Sequence, residues 1–197
     1  SGCFGFIQVG SEAEYGGNKK CKSENDLCNP SMPYGLSKLA QTIRSNQLAH
    51  QYNLRTRISR VFTPFGTLDN PNKIIPSVIN HIKKNKSIDL SICEQKRDFI
   101  YIDDVNQFHE LIIKSKNLMN GTYNIGFGEN YSVLDIYNKI SNLLGIHIEP
   151  EFRPDLPGEA FQNLADISKA KSLGWRPKIR IEEGLKLSID YIQKNVL

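Results

Sequence analysis

Strand-like and helix-like segments alternate along the chain of 197 residues, and this alternation limits its fold more than any other feature. Short apolar runs bounded by Gly, Pro, Asn or Ser indicate buried strands, whereas apolar residues three and four positions apart indicate helices. Their alternation predicts a layered α/β fold with a largely parallel sheet. The predicted strands are 4–9, 56–62, 88–93, 99–102, 123–125 and 147–152. The predicted helices start near Pro33, Ile74, Asp103 or Asp104, Ser132, Asp166 and Glu182. The helix at Ser132 is predicted to open with a variant of the capping box, from Ser132 to Asp135, and to close at Gly145.

Composition narrows the class of protein. With 39% hydrophobic residues and a net charge of +4, the chain can bury a real core and has no strong basic patch for nucleic acid. Four cysteines without a Cys-x-x-Cys spacing favour reduced thiols. Neither a signal peptide nor an apolar run of about 18 residues is present, so a cytoplasmic protein without membrane association is expected. Because the sequence does not begin with Met, it is also expected to be a fragment or a processed product.

A Tyr-x-x-x-Lys spacing occurs twice, at Tyr15 with Lys19 and at Tyr34 with Lys38. Two glycines interrupt the first pair and disfavour a helix there. The second pair follows Pro33 at the start of a strongly periodic helix, where side chains four residues apart share a face. A free phenol titrates near pH 10, and a nearby ammonium favours the phenolate. Spacing alone therefore leaves two alternatives, a proton-transfer pair and an ordinary surface pair.

Further motifs follow in a fixed order along the chain. They are "FIQVGSEAEYG", "PYGLSK", "RVFTPFG", "KRDFIYIDDV", "YNIGFGENYSVLDI" and "LADISKAKSLGWRPKIRIEEGLKLSIDYI". Together they resemble the extended short-chain dehydrogenase/reductases, the nucleotide-sugar epimerase/dehydratase family. The resemblance implies a partial Rossmann-like parallel sheet, limited to its later strands, and a smaller C-terminal α/β domain that binds the substrate.

The resemblance also implies domain limits. Residues 1–66 would form the C-terminal part of the NAD(P)-binding domain with its active-site helix. Residues 67–197 would mainly bind the nucleotide sugar, with 97–125 partly returning to the Rossmann sheet. Family members often form dimers through the helix that carries the catalytic tyrosine, which implies a homodimer through the Tyr34 helix.

Catalytic roles follow from the same resemblance. Tyr34 would be the acid/base and Ser11 would hydrogen-bond the reacting sugar oxygen. Lys38 would hold the ribose of NAD or NADP and favour the phenolate, and Phe62 would contact the cofactor. The activity implied is hydride transfer at C4 of the sugar, by an epimerase or a 4-ketoreductase.

Substrate contacts are implied at Glu12, Thr63 and Arg97. Arg97 would pair with the diphosphate, a task that suits the planar donors of a guanidinium; the alternative is a strand arginine paired with Asp98 or Asp103. Thr63 stands where many members, including 4-epimerases, have Asn, which favours a 4-ketoreductase or a less typical epimerase. Ala13 stands where the 4,6-dehydratases have a glutamate, which disfavours dehydration.

The cofactor-binding turn of the family is the largest departure. The only Gly-x-Gly, at Gly126 to Gly128, lies in a late segment, and no Gly-rich turn follows the first strand. An arginine common before the late Gly158 is also missing, with Arg153 as a weak substitute. The sequence therefore predicts an N-terminally truncated enzyme. The alternative is a non-catalytic remnant, or a module that needs a partner to supply the missing strands.

Other conspicuous residues receive structural interpretations. His50, His81, His109 and His147 show no ligand spacing and are expected on the surface or on helix faces. Trp175 is expected to pack against a helix end. Asp103 or Asp104 is expected to cap a helix.

Overall fold

The computed structural model describes residues 4–17, 21–91, 95–115, 120–153 and 162–195. Within these ranges the strands are β1 (Gly5–Ser11), β2 (Cys21–Lys22), β3 (Arg55–Val61), β4 (Pro64–Phe65), β5 (Asp89–Ser91), β6 (Lys96–Arg97), β7 (Ile100–Tyr101), β8 (Gly121–Ile125), β9 (Tyr131–Ser132), β10 (Glu151–Arg153) and β11 (Gln162–Ala165). The helices are α1 (Pro33–Gln51), α2 (Ile74–Lys83), α3 (Ile102–Lys114), α4 (Val133–Leu144), α5 (Ser168–Ser172) and α6 (Ile181–Asn195), and a 3₁₀ helix spans Glu12–Tyr15.

A parallel three-stranded sheet in the order β1-β3-β8 forms the first layer. Strand β1 pairs with β3 from Gly5 opposite Arg55 to Ser11 opposite Val61, and helix α1 connects the two strands. Because parallel strands end at the same edge, Ser11 lies at the carboxyl edge of the sheet, where α/β folds bind ligands. The predicted α/β fold with a parallel sheet is confirmed.

One hydrophobic core lies between this sheet and α3. Phe108 and Ile112 of α3 are fully buried, together with Tyr123 and Ile125 of β8. Trp175 packs edge-on against Phe108, with ring centroids 5.4 Å apart. The predicted packing role of Trp175 is thus confirmed.

A second core gathers helices α2, α4 and α6. Ile79, Ile82, Ile136, Ile140 and Leu185 are fully buried in it. The other strands form a four-stranded sheet in the order β2-β11-β6-β9 and two two-stranded sheets, β4-β7 and β5-β10. Strand β11 runs parallel to both β2 and β6 and so joins the segment after β1 to the C-terminal part of the chain.

Helix α4 begins and ends as its sequence predicts. Ser132 accepts a hydrogen bond from the backbone N–H of Asp135, and the Asp135 carboxylate accepts one from the N–H of Ser132. Gly145 ends the helix in the left-handed conformation, at φ 66°. This reciprocal capping satisfies backbone groups that the helix itself leaves unpaired.

The capping role predicted for Asp103 or Asp104 is wrong. Helix α3 begins at Ile102, and its N-cap residue is Tyr101, whose side chain makes no capping hydrogen bond. Asp104 is fully buried, and its carboxylate accepts the backbone N–H groups of Lys178 and Ile179 at 2.9 to 3.0 Å. It therefore fastens the segment before α6 to α3.

Three smaller expectations concern cysteines, metals and membranes. Cys21 and Cys28 are free thiols, while Cys3 and Cys93 lie outside the described residues. Among the residues that the structure describes, no cluster of ligand side chains could hold a metal ion. Within the same ranges, every helix is too short or too polar to cross a bilayer.

Candidate active site

The turn after β1 holds Ser11 in a defined position. The Ser11 N–H donates to the Glu14 carboxylate at 3.0 Å, and the Ser11 hydroxyl accepts the N–H of Ala13 at 3.2 Å. These two hydrogen bonds form a capping box, in which the Ser11 side chain pairs a backbone N–H of the 3₁₀ helix and the Glu14 side chain pairs the backbone N–H of Ser11. Ser11 is nearly buried, with 7% of its surface exposed.

A buried ion pair between Arg60 and Glu14 stabilises the Ser11 turn. Glu14 is fully buried, and its carboxylate accepts a hydrogen bond from Arg60 Nε of β3 at 2.9 Å. The Arg60 guanidinium lies over the Tyr15 ring, 4.4 Å from its centroid, and the Tyr15 hydroxyl donates to Asn124 at 2.6 Å. Burial raises the pKa of Tyr15 to about 12, against the opposing effect of Arg60, so the phenol stays protonated. Tyr15 is thus a structural residue, and Lys19 lies outside the described residues.

Helix α1 approaches the Ser11 turn closely because its third residue is a glycine. A Cβ atom at Gly35 would lie 2.4 Å from the carbonyl oxygen of Ala13 and 2.9 Å from Pro30. Only a glycine permits this approach. The helix therefore carries Tyr34, which is 59% exposed, to the edge of the same turn.

Lys38 lies one helical turn after Tyr34, as the spacing predicts. Its Nζ donates to the carbonyl oxygen of Val9 at 3.1 Å and is 5.9 Å from the centroid of the Tyr34 ring. The Val9 carbonyl belongs to β1, so the hydrogen bond ties the helix to the sheet edge. The ammonium is thereby kept close to the phenol.

One pocket of about 560 Å³, here named the main pocket, brings most of the predicted site residues together. Those that line it are Ser11, Glu12, Tyr34, Lys38, Thr63 and Arg97. They come from β1, the 3₁₀ helix, α1, the residue pair after β3, and β6. The individual roles that the resemblance assigns to them stay predictions.

Phe62 is placed differently from the other predicted residues. Its side chain is fully buried and packs in a small cluster with Tyr15, Ala165 and Ile167. Phe62 does not line the main pocket. The position of the side chain therefore gives no support to a direct cofactor contact.

Arg97 and Glu12 both line the main pocket. Arg97 donates to the Gln95 side chain at 3.2 Å. Burial raises the pKa of Glu12, and the positive charges of Arg97 and Lys22 oppose this shift. The proposed alternative partner Asp98 has a different task, because its carboxylate accepts the backbone N–H groups of Phe127, Gly128 and Ala165.

Two residues of this region escaped the sequence interpretation. His109 was expected on a surface or a helix face, but it lines the main pocket, and its Nε2 lies 2.8 Å from the Ser59 hydroxyl. Burial lowers the pKa of His109, which favours the neutral ring. Lys22 is almost completely buried, at 1% exposure. The sequence indicates neither the pocket position of His109 nor the burial of Lys22, because each results from contacts between distant segments of the chain.

The sequence and the fold match those of known proteins. Residues 1–126 match the model of the NAD-dependent epimerase/dehydratase family. A UDP-glucuronate 4-epimerase of Thermodesulfobacterium geofontis is 33% identical over 85% of this chain and 52% of its own length. A Bacillus cereus UDP-glucuronic acid 4-epimerase in complex with UDP-glucuronic acid and NAD superposes with a TM-score of 0.91 at 30% identity, covering 96% of this chain and 61% of that one. A Thermotoga maritima UDP-glucose 4-epimerase with UDP-glucose gives a TM-score of 0.93 at 26% identity, covering 100% and 65%.

The chain thus spans only 52% to 65% of the lengths of these three proteins. The matches cover 85% to 100% of this chain. Since the family model matches more than half of the chain, this protein belongs to the NAD-dependent epimerase/dehydratase family.

Proposed function

We propose that this chain carries the proton-transferring and sugar-binding residues of an NAD(P)-dependent enzyme that epimerises or reduces C4 of a nucleoside diphosphate sugar. One observation carries the proposal: Ser11, Tyr34, Lys38 and Arg97 line the same main pocket. A hydroxyl, a phenol, an ammonium and a guanidinium are thereby available to a single ligand.

Each of these groups has a distinct task in that reaction. The Tyr34 phenolate takes the proton of the C4 hydroxyl as the C4–H bond breaks, and returns it when the carbonyl is reduced. Ser11 holds the C4 oxygen beside the phenol. Lys38 stabilises the phenolate by its charge. The nicotinamide ring, when bound, supplies the acceptance and return of the hydride.

Arg97 suits the diphosphate because its planar donors can bind two phosphate oxygens at once. It lies on β6 across the main pocket from the Ser11 turn. A sugar bound with its diphosphate at Arg97 would extend toward Tyr34. This orientation is the one that chemistry at C4 requires.

The residues fit one end of the cofactor only. We propose that Lys38, whose Nζ bonds the Val9 carbonyl at the carboxyl edge of the sheet, binds the nicotinamide ribose. The Gly126 to Gly128 segment cannot serve the phosphates, because the N–H groups of Phe127 and Gly128 already donate to Asp98. We therefore propose that stable cofactor binding needs a dinucleotide-binding segment in addition to the residues that the structure describes.

A Tyr34→Phe exchange tests the catalytic assignment. The chain is extended at its N-terminus with the dinucleotide-binding segment of a relative, and turnover of UDP-glucose and of 4-keto sugars is measured. The phenylalanine variant is expected to retain NAD while losing at least about 10²-fold in kcat, since general acid–base catalysis contributes that much or more. Tyr52→Phe, at an exposed position beyond α1, is the matched control. Full activity of the Tyr34 variant would refute the role of Tyr34.

A second candidate function is a sugar-nucleotide binding module without catalysis, or one that needs a partner. It is favoured by β1, which pairs with β3 on one side and with no described strand on the other. Such an edge offers unpaired backbone groups to another chain. Turnover by the N-terminally extended chain separates the two: catalysis that is lost on Tyr34→Phe contradicts the module, whereas binding of a nucleotide sugar without any turnover supports it.

We also propose that the chain forms a homodimer through α1. Leu36 and Ile43 are 60% and 52% exposed on that helix, while its buried positions are Gly35, Thr42, Ser45 and Ala49. Large exposed apolar side chains on one helix are characteristic of an interface. Light scattering of the wild type and of Ile43→Glu tests this, with a dimer expected only for the wild type. A monomeric wild type would refute it.

A further inference from the structure

A second cavity, here named the α4 pocket, lies between helix α4 and the segment 147–152 and has a volume of about 530 Å³. The Tyr137 hydroxyl of α4 donates to the carbonyl oxygen of Ile148, which holds the segment against the helix. The α4 pocket shares no lining residue with the main pocket. Its volume is typical of small-molecule sites, yet the proposed function gives it no role.

Ser141 contributes a hydroxyl without a partner to the α4 pocket. Only 3% of its surface is exposed, and its Oγ hydrogen-bonds no residue that the structure describes. A helical serine can donate to the carbonyl oxygen four residues earlier, as Ser188 does to Gly184, but Ser141 does not. Because buried polar groups are rarely left unpaired, this hydroxyl indicates a ligand that supplies the missing hydrogen bond.

Two carboxamides accompany this hydroxyl on the same wall. Asn138 and Asn142 are four residues apart on α4, so their side chains share a helix face, and both line the α4 pocket. Each carboxamide offers a donor and an acceptor side by side. The opposite wall adds His147 and Glu149. A ligand in the α4 pocket therefore meets polar groups from two sides.

Charge limits the class of that ligand. Among the described residues, neither a lysine nor an arginine lines the α4 pocket, whereas Lys38, Lys73 and Arg97 line the main pocket. Phosphates and carboxylates bind most strongly to such cations, so an anionic ligand is disfavoured here. Apolar contact is available instead, since Phe152 also lines the α4 pocket and is 57% exposed.

We propose that the α4 pocket binds one uncharged hexose unit, either a free sugar or the end of a glycan. Sugar hydroxyls both donate and accept, which suits Ser141, Asn138 and Asn142, and the C–H face of the sugar ring can pack on Phe152. A flat nucleobase carries its polar groups in one plane and would leave one of the two polar walls unpaired. The inference does not rest on the proposed function, because no residue of the main pocket takes part.

Amide NMR of the whole, isotopically labelled chain tests the site with D-glucose, D-galactose, maltotriose and uridine as probes. A sugar is expected to shift the signals of Asn138 and Asn142 with a dissociation constant on the order of 1 mM, which a few hydrogen bonds can supply. Tighter binding of maltotriose than of the single hexoses identifies a glycan end as the ligand, and equal binding identifies a free sugar. An excess of UDP, the probe for the main pocket, should not displace the sugar.

Two variants assign the binding to the α4 pocket. Ser141→Ala should weaken the sugar by about three- to tenfold, the value of one hydrogen bond. The same variant should leave the urea midpoint of the unliganded chain unchanged or raised, because the hydroxyl that it removes is unpaired. Asn138→Leu, at an exposed helical position that leucine favours, should weaken the sugar similarly. Gln193→Leu, which removes an exposed amide from α6, is the matched control and should bind as the wild type does.

Three results would overturn the inference. The first is that none of the three sugars shifts the signals of Asn138 and Asn142. The second is that UDP displaces the sugar, which would assign it to the main pocket, or that uridine alone binds, which would make a base the ligand. The third is that Ser141→Ala and Asn138→Leu both bind the sugar as tightly as Gln193→Leu.

Discussion

The buried pair of Arg60 and Glu14 allows a sharp test of what holds the Ser11 turn. Their side chains are 6% and 0% exposed, and the Glu14 carboxylate also accepts the Ser11 N–H. Arg60→Leu would leave a buried carboxylate without its cation, which costs about 3 to 5 kcal/mol of unfolding free energy. Glu14→Leu would leave the guanidinium unpaired at a similar cost. In the double variant both charges are gone, and the remaining loss is about 1 to 3 kcal/mol for the orphaned Ser11 N–H.

Urea unfolding followed by the fluorescence of Trp175 measures these differences, because it is the single tryptophan and is 5% exposed. The double variant is expected to be at least as stable as either single variant, which gives a strongly non-additive cycle. Lys114→Leu is the control, since its pair with Glu110 is exposed on α3 and should contribute nothing measurable. The reasoning is refuted if Arg60→Leu changes stability as little as Lys114→Leu, or if the two single effects simply add.

Four further substitutions test contributions to stability. Burial raises the pKa of Asp98 from 3.8 to about 6. Because the folded state then binds the proton more tightly than the unfolded state, the folded state gains stability as the pH falls. Lowering the pH from 7 to 5 should raise the free energy of unfolding of the wild type by about 1 kcal/mol relative to that of Asp98→Asn. Gly16→Ala should cost about 1 kcal/mol for its φ of 72° and a further 1 to 3 kcal/mol for a Cβ only 2.0 Å from a backbone oxygen. At Gly145 φ is 66°, and an added Cβ would meet open space. Gly145→Ala should therefore cost only the conformational part, about 1 kcal/mol of unfolding free energy, in the same urea titrations. Trp175→Phe removes the indole N–H that donates to the Asp104 carbonyl oxygen, 3.2 Å away. The free energy of unfolding should fall by about 1 to 3 kcal/mol, which thermal denaturation would show as a lower midpoint.

Local patterns in the sequence were sufficient for much of the fold. The capping box at Ser132 and the left-handed Gly145 depend on residues close in the chain, and both were predicted at the correct positions. The parallel sheet followed from the alternation of strands and helices. Strand 56–62 was placed within one residue of β3 (Arg55–Val61).

What could not be predicted depends on contacts between distant segments. Asp104 has the local pattern of a cap, yet its carboxylate binds backbone groups more than seventy positions away. His109 lies on a helix face, as expected, but that face borders the main pocket. In α1 the apolar residues Leu36 and Ile43 are exposed, since the packing against β1 and the 3₁₀ helix uses the small side chains of the opposite face.

The candidate site shows the same division. The resemblance identified Ser11, Tyr34, Lys38 and Arg97, because each stands in a recognisable motif. It gave no indication of Asn163, which hydrogen-bonds Glu12 and lies opposite Arg97 because β11 pairs with β6. Strand β11 also pairs with β2, beyond the Ser11 turn, and Asp98 binds the N–H of Ala165 on the same strand. Strand β11 therefore joins β2, which follows the Ser11 turn in the chain, to β6, which carries Arg97, in one sheet. A substitution that shifts β11 should weaken sugar binding and disturb the Glu12 side of the Ser11 turn together, although no atom of that strand would take part in the proton transfer.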